Sequence, residues 1–262
     1  MIPFIQSVFS ENPNLVTETW VFAVAGQSNI IPTTEPAGNS NTDEFPSGTL
    51  QWGRRAPNIN TLIPATVPLE NWGITPSTSL LGPGIVTRFA NRVKTDYPNV
   101  TLVFIPCGKG GTGFNDSTWN KGDTEYEDMV TRTNLCMSEN PDFVFKGMLW
   151  HQGEDDTDFA GTYQSLLLQF ISDWKADITE ASATSAFICG GLRPSFVSSV
   201  AGAAAVNAII EDIPNLVSYS GYANPSVPTV LTGYDAVHFD SDSSLILGDR
   251  YYEAFLTSLN NN

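Results

Sequence analysis

The chain is 262 residues long and carries 28 Asp and Glu against 12 Lys and Arg, a formal net charge of −16 at pH 7. So acidic a surface repels phosphate backbones and anionic lipid, which makes nucleic acid and membranes unexpected partners. With 41% hydrophobic residues the apolar content is too high for disorder, and the length suits one α/β domain over residues 1–262.

Residues 21–25, 102–106, 146–150, 186–189 and 216–219 are short, nearly continuous apolar runs rich in β-branched and aromatic side chains. Continuous rather than alternating hydrophobicity predicts strands covered on both faces, as in a parallel sheet. Between them, apolar residues recur at helical spacing: Ile85, Phe89 and Val93; Tyr163, Leu167, Phe170 and Trp174; Val206, Ile209, Ile210 and Ile213; Leu245, Tyr252, Phe255 and Leu256. This alternation predicts a five-stranded, doubly wound α/β sheet with right-handed crossovers. Residues 30–80 break the rhythm; they are rich in Pro, Gly, Asn, Ser and Thr and carry Trp52, Arg54, Arg55 and Trp72. Two readings of this excursion stand side by side: irregular cover for a sheet edge, and a wall of a binding site.

No apolar run approaches the ~20 residues of a membrane span. Met1-Ile2-Pro3-Phe4 has no basic stretch ahead of a long apolar run, so a secretory signal is expected to be absent or already removed. Cytoplasmic, secreted and virion-associated locations all stay open. Cys107, Cys136 and Cys189 are odd in number and lack Cys-x-x-Cys spacing, which argues against a disulfide scaffold and against zinc. Neither a metal nor a cofactor is expected.

The first strand runs into Gly26-Gln27-Ser28-Asn29. A glycine at the strand end permits a sharp turn that exposes Ser28, and a following helical turn aims backbone N–H groups at it. Only two histidines are present, His151 and His238, so a histidine base has two candidates. Asp235 precedes His238 by three residues and can accept its Nδ1–H, leaving Nε2 for a serine proton. Both loops fall at the carboxyl edge of the predicted sheet, where ligands of open parallel sheets bind. Gln152 offers an uncharged amide donor for an oxyanion at another strand end. His151 is expected to be packed and hydrogen-bonded, and Glu154 and Asp155 to support the site or cap a helix. Cys107-Gly108-Lys109-Gly110-Gly111-Thr112-Gly113 lacks the residues a phosphate loop or dinucleotide fold needs. Backbone N–H donation to an oxyanion from Gly110 or Gly111 is the better reading, with Lys109 solvated.

Taken together and in order, Gly26-Gln27-Ser28-Asn29, Gly82-Pro83-Gly84, Ile105-Pro106-Cys107 with Gly110-Gly111-Thr112, Leu149-Trp150-His151-Gln152-Gly153-Glu154 and Asp235-Ala236-Val237-His238 resemble the SGNH hydrolases. The resemblance is to the sialate O-acetylesterase-like group that includes carbohydrate esterase family 6. It implies a three-layer, flavodoxin-like αβα fold and a serine esterase that removes acetyl groups from sugars. Ser28 matches the nucleophile, and Asp235 and His238 complete the triad. The backbone N–H of Ser28, a glycine of the Gly110-Gly111 pair and the Gln152 amide match the oxyanion donors, with Asn29, His151 and Glu154 behind them. His151 stands where this group more often has Tyr, and Asp155 where it has Ser, changes that bear on substrate preference. Trp52, Trp72 and Trp119 are candidates for stacking on sugar rings and equally for the core. Arg54 and Arg55 are the basic residues that would offset the acidic surface at the site. The expected substrate is an O-acetylated saccharide, neutral in preference to polyanionic. A general short-chain esterase or thioesterase, and a catalytically idle carbohydrate-binding module such as part of a phage tail fibre, are the alternatives.

Overall fold

Strand β1 (Thr19–Gly26) is buried at every residue but its first, and its alternate side chains serve two separate cores. The structure is a computed structural model that describes residues 13–31, 43–72 and 82–261; Met1-Ile2-Pro3-Phe4 and parts of the 30–80 excursion lie outside these. After β1 come β2 (Leu50–Trp52), β3 (Leu62–Pro64), α1 (Ile85–Asp96), β4 (Thr101–Pro106), α2 (Thr124–Glu139), β5 (Phe143–His151) and α3 (Ala160–Asp177). The chain continues through β6 (Ala186–Gly190), α4 (Pro194–Ser199), α5 (Ala203–Leu216), β7 (Ser220–Ala223) and α6 (Ser241–Ser258). Val21, Ala23 and Ala25 face one core with residues of α2, α3 and α5; Trp20, Phe22 and Val24 face another with residues of α1 and α6. The period of two in a strand thus produces a helix–sheet–helix sandwich. Aromatic rings fill both layers, with Trp150 and Phe170 centroids 4.5 Å apart on one side and Phe22 set edge-on to Phe89 at 5.1 Å on the other.

The strand order is β3-β2-β4-β1-β5-β6-β7. Five consecutive strands, β4-β1-β5-β6-β7, correspond to the parallel strands that the sequence predicts, but the sheet has seven. The excursion supplies the other two: β2 runs parallel to β4, and β3 closes the edge antiparallel to β2. Each is three residues long, too short to show a period. The last parallel strand is also displaced from 216–219: Leu216 ends α5, and the strand is Ser220–Ala223. Its composition is set by crowding, since a Cβ on Gly221 would stand 2.2 Å from the Ala254 carbonyl of α6. Helix α2 carries no clean apolar stripe because polar side chains share its buried face. Arg132 donates to the Trp52 and Gly53 carbonyls, and Thr133 to that of Met129.

Order reverses around β1: β4 follows on one side and β5 on the other. Such a switch opens a crevice beyond the carboxyl ends of the strands. Phe89 packs against four aromatic rings at 0% exposure on the opposite face of the sheet from α3. Phe89→Ala is expected to lower the unfolding free energy by about 3–5 kcal/mol in a urea titration.

Candidate active site

Strand β1 ends at Gly26 with φ +119, and a Cβ there would lie 2.1 Å from the His151 carbonyl oxygen. Only glycine lets the two strand ends approach this closely. The Gln27 N–H then donates to the His151 carbonyl at 2.8 Å, and the chain enters a single 3₁₀ turn, Ser28–Ile30. Ser28 Oγ sits at the mouth of that turn, 2.9 Å from His238 Nε2. His238 Nδ1 is 2.7 Å from Asp235 Oδ2, while Asp235 Oδ1 accepts the backbone N–H groups of Val237 and His238 at 2.7 and 2.6 Å. Partial burial works against the Asp235 charge, but these bonds and the His238 ring hold its carboxyl below the usual aspartate range. An ionised carboxylate only accepts, so Nδ1 carries the proton and Nε2 presents its lone pair to the serine hydroxyl.

The neighbouring Asn29 grips the histidine loop on both sides of His238. Its amide nitrogen donates to the Val237 carbonyl at 3.3 Å and its oxygen accepts the Phe239 N–H at 3.2 Å. The same nitrogen donates to Glu154 Oε1 at 2.6 Å. Glu154 Oε1 also lies 3.5 Å from Nε2 of His151, which is fully buried. The other ring nitrogen of His151, Nδ1, is 2.9 Å from Tyr251 Oη, which donates to the Trp150 carbonyl at 2.7 Å. His238, and not His151, is therefore the histidine within reach of Ser28. Burial opposes the charge on Glu154, yet hydrogen bonding and charge from His151, followed by Asn29, hold its pKa below the ordinary value. Glu154 thus contacts Asn29 beside the serine turn, and neither it nor Asp155 caps α3, whose N-cap is Phe159.

Gly110 and Gly111 are exposed beside the serine: a Cβ on Gly110 would be 3.8 Å from Ser28 Cβ, and Gly111 has φ +64 and lines the pocket. Among the described residues, nothing in the protein accepts the backbone N–H groups of Ser28, Gly110 or Gly111. Gln152 requires a correction. Its amide is fully buried and donates to Asp156 Oδ2 at 2.7 Å and to the Thr112 carbonyl at 3.4 Å, so it does not face the pocket. Asp156, which sequence reasoning passes over, is the hub there. It accepts from Phe114 N, Asn115 N and Asn115 Nδ2 as well, fixing the loop that carries Gly110 and Gly111. The acidic run it closes bears no mark that its third member, rather than its second, turns inward.

The basic and aromatic candidates of the excursion lie elsewhere. Trp52 and Trp119 are 1% and 0% exposed and belong to the core, with Trp119 Nε1 donating to Thr112 Oγ1 at 3.0 Å. Arg54 is bonded to the Pro106 carbonyl and paired with Asp128 at 2.6 Å, and its guanidinium lies 4.5 Å over half-buried Trp72. Arg55 anchors through its backbone to Glu70. Within the described part of the excursion, edge cover is what these residues provide. Lys109 is not simply solvated either; it pairs with Glu125. The pocket at Ser28 has a volume of about 440 Å³. Its lining is apolar at Phe196, Val200 and Val237 and polar at Glu154, Asp155 and Thr157. The α4 side chains among these were not foreseen, because six residues leave no helical period to read.

All three cysteines are buried, and burial pushes the Cys136 and Cys189 thiols up to about 12, which removes them as thiolates at neutral pH. Among the described residues no group of three or more His, Cys, Asp or Glu side chains is arranged to hold a metal, and no helix is long and apolar enough to cross a membrane.

Comparison with known proteins bears on this geometry. The carbohydrate esterase, sialic acid-specific acetylesterase family matches residues 18–257, and the chain belongs to that family. This agrees with the group that the ordered sequence motifs resemble. A probable carbohydrate esterase of Arabidopsis thaliana is 37% identical over 81 residues, 29% of this chain and 28% of that protein. A probable 9-O-acetyl-N-acetylneuraminic acid deacetylase of Escherichia coli is 28% identical over 74 residues, 22% of this chain and 23% of that protein. The chain thus spans about a quarter of the curated relatives it matches. The crystal structure of NanS superposes with a TM-score of 0.71 at 18% identity, covering 95% of this chain and 100% of that one, a likeness of fold.

The Glu154 carboxyl supplies a pH test. Its folded pKa is lowered, so its contribution to stability is full above the unfolded carboxyl value and is lost as pH falls through the folded value. Glu154→Gln is expected to cost about 1.5–3 kcal/mol near neutral pH. In urea titrations across the acid range, the gap from the unchanged protein should close as pH falls.

Proposed function

We propose that the protein is a serine esterase that removes O-acetyl groups from carbohydrate through an acyl-enzyme intermediate. The observation that carries this reading is the unbroken relay from Ser28 Oγ to His238 at 2.9 Å and from His238 to Asp235 at 2.7 Å, opening on a pocket. Family membership supports the ester and the sugar; the relay supports the route, with residues 1–262 read as one catalytic unit.

His238 Nε2 takes the Ser28 proton as Oγ adds to the acetyl carbonyl carbon. The carbonyl oxygen becomes an oxyanion, met by the unpartnered N–H of Ser28 and of the Gly110-Gly111 pair. Collapse breaks the bond to the sugar oxygen, which leaves with the proton from His238. Water, deprotonated by the same nitrogen, then attacks the acetyl-serine, and the bond to Oγ breaks to release acetate as His238 returns the proton to Ser28. Asp235 stays ionised throughout and holds the ring in the tautomer that each step needs. Gln152 enters as the buttress of the glycine loop, through Asp156, and not as a donor to the oxyanion.

The apolar wall of Phe196, Val200 and Val237 favours one second reading, a general short-chain acyl or aryl esterase. The idle binding module is disfavoured by the relay, for which mere binding has no use. Ser28→Ala is expected to lower kcat on acetyl esters by about 10⁴-fold or more, with the melting temperature little changed and fluorophosphonate labelling abolished. Comparable turnover by the variant would end the serine-esterase reading.

A further inference from the structure

The pocket lining includes the acidic wall of Glu154 and Asp155, and the cations that would neutralise it are committed elsewhere. Among the described residues no Lys or Arg lines the pocket. Lys109 pairs with Glu125, Arg54 with Asp128, and Arg193 donates to the Ala236 carbonyl. Glu154 is occupied by Asn29 and His151. Asp155 is different. Its backbone N–H is bonded to Gln27 Oε1 at 3.3 Å, while its exposed carboxylate has no hydrogen-bond or ion-pair partner among the described residues.

We propose that Asp155 is a specificity-determining residue that turns the pocket against carboxylate-bearing sugars, so that the acetylated alcohol is a neutral saccharide. The inference rests on the esterase reading above. An unpartnered carboxylate only accepts, so it is matched by sugar hydroxyls and mismatched by a second carboxylate. Asp155 itself registers the local field: partial burial, then the charges of Glu154, Asp116 and Asp156, raise its carboxyl above the usual aspartate range. A ligand carboxylate at this wall would meet the same field. Phe196 and Val200, in the lining of the same pocket, offer an apolar surface to the C–H face of a pyranose ring. The family is described by its specificity for sialic acid, a sugar that carries a carboxylate, yet among the described residues no Lys or Arg lines this pocket to receive one.

The test compares an O-acetylated N-acetylneuraminic acid with its methyl ester, which keeps the acetyl group and removes only the charge. At low ionic strength the methyl ester should show a kcat/KM about fivefold or more above that of the free acid, the scale of one like-charge contact in a wet site. D155N and added salt should each narrow the ratio. The ratio is the readout because damage to Ser28 or His238 would slow both compounds alike. Equal or faster cleavage of the free acid, or an unchanged ratio in D155N, would overturn the proposal. So would a protein that a fluorophosphonate labels but that cleaves neither compound, since charge would then not be the reason for exclusion. If no label is taken up and aryl acetates are also untouched, the esterase reading itself fails and the proposal falls with it.

Discussion

Ser28 and His238 are 210 residues apart in the chain, and the side chain of Asn29 holds their loops in register. A primary amide is suited to this because it donates and accepts at once. With its nitrogen on Val237 and Glu154 and its oxygen on Phe239, Asn29 brackets His238 and ties it to the turn that carries the serine. An ionised acid in its place would keep only the accepting half of that grip, and an apolar residue of the same size would lose both. The arrangement works only because Gly26 brings the end of β1 within a hydrogen bond of the end of β5. Relaxing that approach would loosen the serine, Glu154 and the histidine loop together.

Behind this contact lies a chain of buried polar groups: Glu154, His151, Tyr251 and the Trp150 carbonyl. Such groups are costly to bury, and what offsets the cost is the contact each makes with the next, from Asn29 and His151 at Glu154 to the Trp150 carbonyl at Tyr251. A second buried anchor, Asp156, performs the same task for the glycine loop. The site thus stands on two carboxylates from one short acidic run, Glu154 and Asp156, which point inward, while Asp155 between them points outward. The proposed chemistry and the proposed choice of sugar therefore come from adjacent residues with opposite exposure.

The inner strands could be read from the sequence because burial on both faces leaves a continuous apolar run. Strand β7 could not, since Ser220 and Gly221 are dictated by the approach of α6, a neighbour 30 or so residues further along the chain. Arg132 on the buried face of α2 is likewise satisfied by carbonyls of the excursion, which no local pattern reveals. For the site, two histidines and one glycine turn reduced the choice to a single arrangement, and the structure brings Ser28, His238 and Asp235 within hydrogen-bond distance. The Gln152 misreading and the alternatives left open at the tryptophans share one cause. Whether an indole of Trp52 or Trp119, or the amide of Gln152, faces solvent or core depends on what packs over it, and residue type does not encode that.

The central claim is that an acetyl group passes through Ser28. The most direct measurement is rapid acid quenching during turnover of an acetylated saccharide, followed by peptide mass analysis. The account predicts a transient gain of one acetyl group on the peptide containing Ser28, formed at least as fast as acetate is released. Acetate release at the full rate with no acetyl group on Ser28 at any time, or with the group on another residue, would contradict it.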